Sequence, residues 1–171
     1  MRASPVALAL ATSLAAQGAR ADERQLTLSA HLGFATAGGS HGGPGAQAAA
    51  VVAYGITDAF NLYGTAGYAL QFPDRPHAPR QDVHLSAGLS YAFDHLRVVP
   101  YLGLGPRVDL VFTPTLGFLS VSAEARGGLL WLVRRGLSLD LQVAYAFPFT
   151  QREFSTDFVS VTAGVGFTWD R

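Results

Sequence analysis

The chain has 171 residues, 49% hydrophobic and only 14% charged, with a formal net charge of +0 and no cysteine. That length suits one domain, and the charged share falls well below the usual value of about 25%. The charge balance gives no argument for nucleic-acid binding, and the missing thiols exclude disulfides, thiolate catalysis and cysteine zinc sites.

Mean hydropathy is +0.23, yet no apolar run reaches the roughly 18 residues of a membrane-spanning helix. The longest apolar stretch, Val6 to Ala16, follows the positive Arg2 and precedes Ala19-Arg20-Ala21. A charged start, a short apolar middle and a small-x-small end predict a secretory signal over residues 1–21. The mature chain, 22–171, then begins near Asp22 and is mildly acidic, because Arg2 and Arg20 leave with the leader.

From Gln25 onward, segments of about ten residues alternate apolar and polar positions, the period of a strand with two unlike faces. Strand one is expected over Gln25–Ala35, with Leu26, Leu28, Ala30, Leu32 and Phe34 on one face. Strand two, Gln47–Thr57, is alanine-rich and weakly patterned. Strand three, Asn61–Phe72, presents Leu62, Ala66, Tyr68, Leu70 and Phe72. Strand four, Asp82–Phe93, presents Val83, Leu85, Ala87, Leu89, Tyr91 and Phe93. Strand five, Val98–Val111, carries Leu102, Leu104, Val108 and Leu110. Strand six, Phe118–Leu132, carries Leu119, Val121, Ala123, Ala125, Leu129 and Trp131. Strand seven, Leu137–Phe149, carries Leu139, Leu141, Val143, Tyr145, Phe147 and Phe149. Strand eight, Asp157–Asp170, alternates Val159, Val161, Ala163, Val165, Phe167 and Trp169 with small polar residues.

Connections at Thr57–Phe60, Asp94–Arg97 and Arg134–Gly136 are tight; of the others, Ala37–Gly45 is glycine-rich, Pro73–Arg80 proline-rich, Thr113–Leu116 short and Thr150–Thr156 polar. Outer-membrane barrels have short periplasmic turns and longer outer loops, which places both termini in the periplasm. Phe34, Phe72, Phe112, Phe118, Phe147 and Phe149 then fall at outer strand ends. Phe60, Tyr63, Phe93, Trp131, Phe167 and Trp169 fall at inner ends. Two aromatic girdles are expected at the water–lipid boundaries. A soluble lipocalin-like barrel shares the period but puts its apolar face inside, leaving Arg107, Glu124, Arg126 and Asp140 outside.

Tyr54 to Gly64 looks like a first periplasmic turn, Tyr101-Leu102-Gly103-Leu104-Gly105 like a glycine-rich fifth strand, and Val161 to Trp169 like a C-terminal assembly signal. In these segments the chain resembles the small eight-stranded outer-membrane β-barrels, the OmpA-like transmembrane domain and its relatives. It departs in that Asp170 and Arg171 follow the aromatic residue on which that signal commonly ends. The resemblance implies an all-β, eight-stranded antiparallel up-and-down transmembrane β-barrel in a bacterial outer membrane. It implies lipid and the barrel-assembly machinery as partners, and a monomer without cofactor. No peptidoglycan-binding segment follows, so a tethering role is not expected.

An eight-stranded barrel is only wide enough for side chains to fill it, and charges there are costly unless paired. The polar face carries His31, Gln71, His84, Arg107, Asp109, Glu124, Arg126, Asp140 and Gln142. His84, Arg107 and Glu124 fall at similar heights, and Glu124 and Arg126 lie about 7 Å apart on one strand face. A lumen network of Arg107, Glu124, Arg126, Asp140 and His84 is expected, either as internal glue or as a gated path for very small solutes. His84-Leu85-Ser86 also resembles the His-x-Ser segment of outer-membrane lipid A deacylases, which need a base-activated serine facing lipid. Alternation points both residues inward. The five histidines lack metal-ligand spacing, and the glycine-rich Gly38–Gly43 is not followed by a phosphate-binding helix. The leading function is therefore a non-enzymatic barrel, structural or weakly conducting. A lipid-modifying hydrolase and a carrier for small hydrophobic molecules remain as alternatives.

Overall fold

A computed structural model describes residues 25–38, 42–73, 78–93, 98–114, 117–150 and 157–169. The expected signal and the Asp94–Arg97 turn lie outside the described residues. Eight strands follow in chain order: β1 (Leu26–Ala37), β2 (Pro44–Gly55), β3 (Phe60–Gln71), β4 (Arg80–Ala92), β5 (Val98–Phe112), β6 (Gly117–Arg134), β7 (Leu137–Pro148) and β8 (Phe158–Trp169). Each pairs antiparallel with its neighbours in sequence, and β8 returns to β1 to close a barrel. Closure leaves no strand at the edge of the sheet, the solution a sheet needs where water cannot supply partners.

The two faces are segregated as the alternation dictates. Leu32 and Phe34 are 71% and 79% exposed on the outside, and Leu85 and Leu104 face outward across the barrel from them. Inside lie Ser29, His31, Gln47, Thr65, Arg107, Glu124, Arg126 and Thr162, all buried. This is the reverse of a lipocalin-like arrangement, whose apolar face would fill the interior. A buried apolar cluster among the described residues, Ala35, Ala37, Ala69, Ala146 and Phe158, sits inside at the long-loop end.

Three expectations about faces need correction. Tyr63 is not in an inner girdle: its position on β3 points into the lumen, where it is 5% exposed. Phe118 likewise pairs with the inward Val111 and shares its face. Arg80 is not loop: it opens β4 and is buried. In each case the side chain's size or charge suggested an outer position, but strand parity decides the face. The remaining girdle aromatics are exposed on the outside.

Local chemistry fixes the short turns. In the β2–β3 turn the Thr57 hydroxyl accepts from the backbone N–H groups of Ala59 and Phe60 at 3.3 and 3.0 Å. In the β6–β7 turn Gly136 adopts φ 75°, a left-handed conformation open to glycine without a Cβ penalty. Between β4 and β5 the backbones approach so closely that a Cβ on Gly105 would stand 2.0 Å from the Ala87 carbonyl oxygen. Gly64, by contrast, has only a Val52 methyl group at 3.3 Å. Gly105→Ala is therefore expected to lower refolding stability by about 1–3 kcal/mol, the usual range for overpacking. Gly64→Ala should change it little. Equal midpoints for the two variants in urea-driven unfolding from lipid vesicles would remove this account of the β4–β5 seam.

Candidate functional site

Three successive strands each carry an opposite-charge pair two residues apart on the inward face: Arg80 and Asp82 on β4, Arg107 and Asp109 on β5, Glu124 and Arg126 on β6. A spacing of two keeps both members on one side of the sheet. Arg80 Nε donates to Asp82 Oδ1 at 2.8 Å, and Gln71 Nε2 donates to Asp82 Oδ2 at 3.1 Å. Arg107 Nε donates to Asp109 Oδ1 at 2.8 Å.

Glu124 is the centre of the array. Arg107 Nη1 reaches its Oε2 at 3.3 Å, and Arg126 Nε reaches its Oε1 at 3.1 Å, with Arg126 Nη2 on the same oxygen. Ser86 Oγ donates to Oε1 at 3.1 Å. Arg126 Nη2 also donates to Thr65 Oγ1 at 2.9 Å and Ser86 Oγ at 3.0 Å. One carboxylate thus takes two guanidinium groups, all buried: Arg107 is 1% and Glu124 2% exposed. An aromatic ring covers each cation. The Arg107 guanidinium carbon lies 4.1 Å from the Phe158 ring centroid, and that of Arg126 lies 3.7 Å from the Tyr63 centroid. Such stacking attracts a cation to the ring face.

Room for these groups comes from what stands beside them. Glu124 pairs with Gly105 and Ala146, Arg126 with Gly103 and Ala144, and Arg107 with Ser86 and Ser122. Each large inward side chain has small ones on both neighbouring strands, the way a narrow barrel fills its interior. His84 and His31 find room on one side in the same way. Each is paired across a ladder with a glycine, Gly67 and Gly164, on which its ring lies.

Of the five expected network residues, three come together: Arg107, Glu124 and Arg126. His84 does not join them by hydrogen bond. Its Nε2 faces Gln47 Nε2 at 3.5 Å, and its ring packs near Phe158. Asp140 is also separate. It accepts from the Tyr101 hydroxyl, at 3.1 Å to Oδ1 and 3.0 Å to Oδ2, and lies 3.5 Å from His31 Nε2. The residues missed were Arg80 and Asp82, signalled by the same spacing of two, and Ser86, Thr65, Tyr63 and Tyr101. Those four are small or aromatic polar groups whose partners come from non-neighbouring strands.

Below the ionic cluster, toward the short turns, the lumen holds a cavity of about 100 Å³. Asn61, Ser90, Tyr101, Ser138, Asp140 and Gln142 line it, with Tyr63 and Arg126 also on its wall. The barrel interior is thus graded along its length. An apolar cluster and the Arg80–Asp82 pair lie at the long-loop end, the Glu124 cluster fills the middle, and a small vestibule lies at the turn end.

The His84–Ser86 pair faces this interior, with both residues buried. Ser86 is held by Glu124 and Arg126 rather than by His84. Glu124 reaches Ser86 from β6, a meeting that residues of β4 alone did not suggest.

No protein-family model matches the chain, and no curated protein matches it. Solved structures do. Neisserial surface protein A (NspA) superposes with a TM-score of 0.70 at 17% identity, over 83% of this chain and 96% of that one. The outer membrane protein OprG from Pseudomonas aeruginosa gives 0.63 at 12% identity, over 88% and 99%. The outer membrane enzyme PagL gives 0.55 at 14%, over 82% and 98%. At these identities the likeness establishes the fold: a closed, eight-stranded antiparallel barrel of the outer-membrane type.

Proposed function

We propose that this protein is a non-enzymatic barrel of a bacterial outer membrane, its apolar belt against lipid and its lumen closed by the Arg107–Glu124–Arg126 plug. The observation that carries this is the inverted distribution of polarity. Soluble monomers rarely expose apolar patches beyond a few hundred Å². Here leucine, valine and aromatic side chains stand on the outside of every strand, on alanine-rich β2 only as Val52 and Tyr54. Phospholipid or lipopolysaccharide is the partner such a belt fits, with a single chain closing its own edges as a monomer. Short turns and both termini are assigned to the periplasm, as in barrels with long outer loops.

The interior argues for a structural or weakly conducting role. Its middle is filled by mutually paired charges under aromatic rings, so a passing ion must part them. A lipid hydrolase needs its serine and histidine on the lipid face, and these two are inside. A carrier of hydrophobic molecules needs an apolar lumen or a lateral opening. The lumen here is polar, and all eight strands join in one ring, the β4–β5 pairing being interrupted only at Ala87–Gly88 opposite Gly105–Pro106.

Folded protein in detergent is expected to migrate differently on a gel before and after boiling, because the closed ladder survives until heated. In planar bilayers the wild type should show little or no steady conductance, and Glu124→Gln should raise it by loosening the plug. Identical migration with and without boiling would defeat the membrane-barrel reading. A large steady wild-type conductance would defeat the plug.

A further inference from the structure

We propose that the vestibule at the short-turn end is a binding site for a small monovalent cation, with Asp140 as its charged ligand. The site lies outside the plug, and the inference stands whether or not the barrel conducts.

The first argument is charge. Among the described lumen residues, Arg80, Arg107 and Arg126 face Asp82, Asp109 and Glu124, as the ion pairs above show. Asp140 is left over. Its partners within reach are the neutral Tyr101 hydroxyl and His31, and its side chain is only 10% exposed. Arg126 lines the same cavity and acts on Asp140 only at a distance: its Nε and Nη2 bond Glu124, Thr65 and Ser86, and no ion pair joins it to Asp140 among the described residues. An enclosed carboxylate without a paired cation is costly.

The second argument is a count of hydrogens. The Tyr101 hydroxyl has one hydrogen, and three acceptor oxygens converge on it: Asp140 Oδ1, Asp140 Oδ2 and, at 3.2 Å, Gln142 Oε1. At most one of these is fully served. Ser138, two residues before Asp140 on the same face of β7, has its hydroxyl oxygen buried without a partner and lines the same cavity. Oxygens that can turn toward a cation converge here: the Asp140 carboxylate, the Gln142 amide oxygen, and the Ser138 and Tyr63 hydroxyls, both buried without a partner. That is the chemistry of an alkali ion or a primary ammonium group, both of which are bound by carboxylate, hydroxyl and amide oxygens. A volume of about 100 Å³ leaves room for such an ion together with water. A transition metal is not indicated, since no cluster of three histidine, aspartate or glutamate ligands occurs among the described residues.

The test uses the barrel folded in detergent micelles at pH 8, where an unperturbed histidine is neutral and His31 does not supply the missing charge. Sodium, methylammonium and the bulky N-methylglucammonium are compared as chlorides at equal ionic strength. Sodium or methylammonium is expected to raise the thermal unfolding midpoint above that in N-methylglucammonium. The protein should also broaden the sodium-23 resonance, and methylammonium should reverse the broadening by competition. Asp140→Asn should lose both effects. A response to methylammonium without one to sodium assigns the site to an ammonium group; the reverse assigns it to an alkali ion. Equal midpoints in all three salts with no broadening overturn the proposal on the wild type alone, so it does not depend on the variant folding. Retention of both effects by Asp140→Asn overturns the role given to that residue.

Discussion

Glu124→Gln is expected to destabilise the folded barrel by about 3–5 kcal/mol, the range for removing one member of a buried ion pair. The loss is large because the substitution does more than delete attraction. Glu124 separates two guanidinium groups, with Arg107 on one oxygen and Arg126 on the other. Glutamine leaves both cations buried, and its amide nitrogen adds a donor where a donor already stands. Removing Arg107 as well relieves part of this conflict. The Arg107→Gln, Glu124→Gln double variant should therefore cost less than the sum of the single changes. A double-mutant cycle on urea-driven refolding into lipid measures the coupling directly. Strict additivity would mean that the two groups act independently, and the plug would lose its physical basis.

Much of the fold was legible because a barrel is specified by parity. A period of two assigns every residue of a strand to one face once a single residue is assigned. All eight strands fall within three residues of their expected limits, even β2, whose alanines blur the pattern. What parity does not give is which residues meet across the lumen. Arg107 and Glu124 lie on adjacent strands, and their heights followed from counting out from the turns. Asp140 belongs to β7, one strand beyond Glu124, and pairs instead with the tyrosine of β5 that spans the space left by Gly128. His84 pairs across β4–β5 with Asp109 rather than Arg107, and Gly67 on its other side lets the ring lie along the wall, without a hydrogen bond to the Glu124 cluster. The contacts that eluded sequence reasoning thus depend on small residues in neighbouring strands, whose signal is the absence of a side chain. Tyr63 shows the converse error. An aromatic at a strand end reads as interfacial, yet its parity is that of Thr65, and it covers Arg126 instead.

Leu141→Arg and Gln142→Ala should separate sharply, although the two positions are adjacent on β7. Leu141 is 50% exposed on the outer face, and Gln142 is 6% exposed in the lumen. Leu141 pairs with Leu129 on β6 and Ala163 on β8, both within the apolar belt and near the middle of the strand. An arginine near the bilayer midplane of a barrel costs about 2–4 kcal/mol, because its charge must be drawn toward a headgroup or keep water with it. Gln142→Ala removes an amide that shares the Tyr101 hydrogen with two oxygens of Asp140. Asp140 can take that hydrogen alone, so the substitution should cost well under half as much. The comparison is made by refolding each variant into lipid vesicles and again into detergent micelles. If lipid covers the belt, the Leu141→Arg penalty should be larger in vesicles, because a micelle deforms around a charge more readily than a bilayer. A penalty of the same size in both, or equal tolerance at the two positions, would mean that the outer face of β7 does not meet the hydrocarbon core.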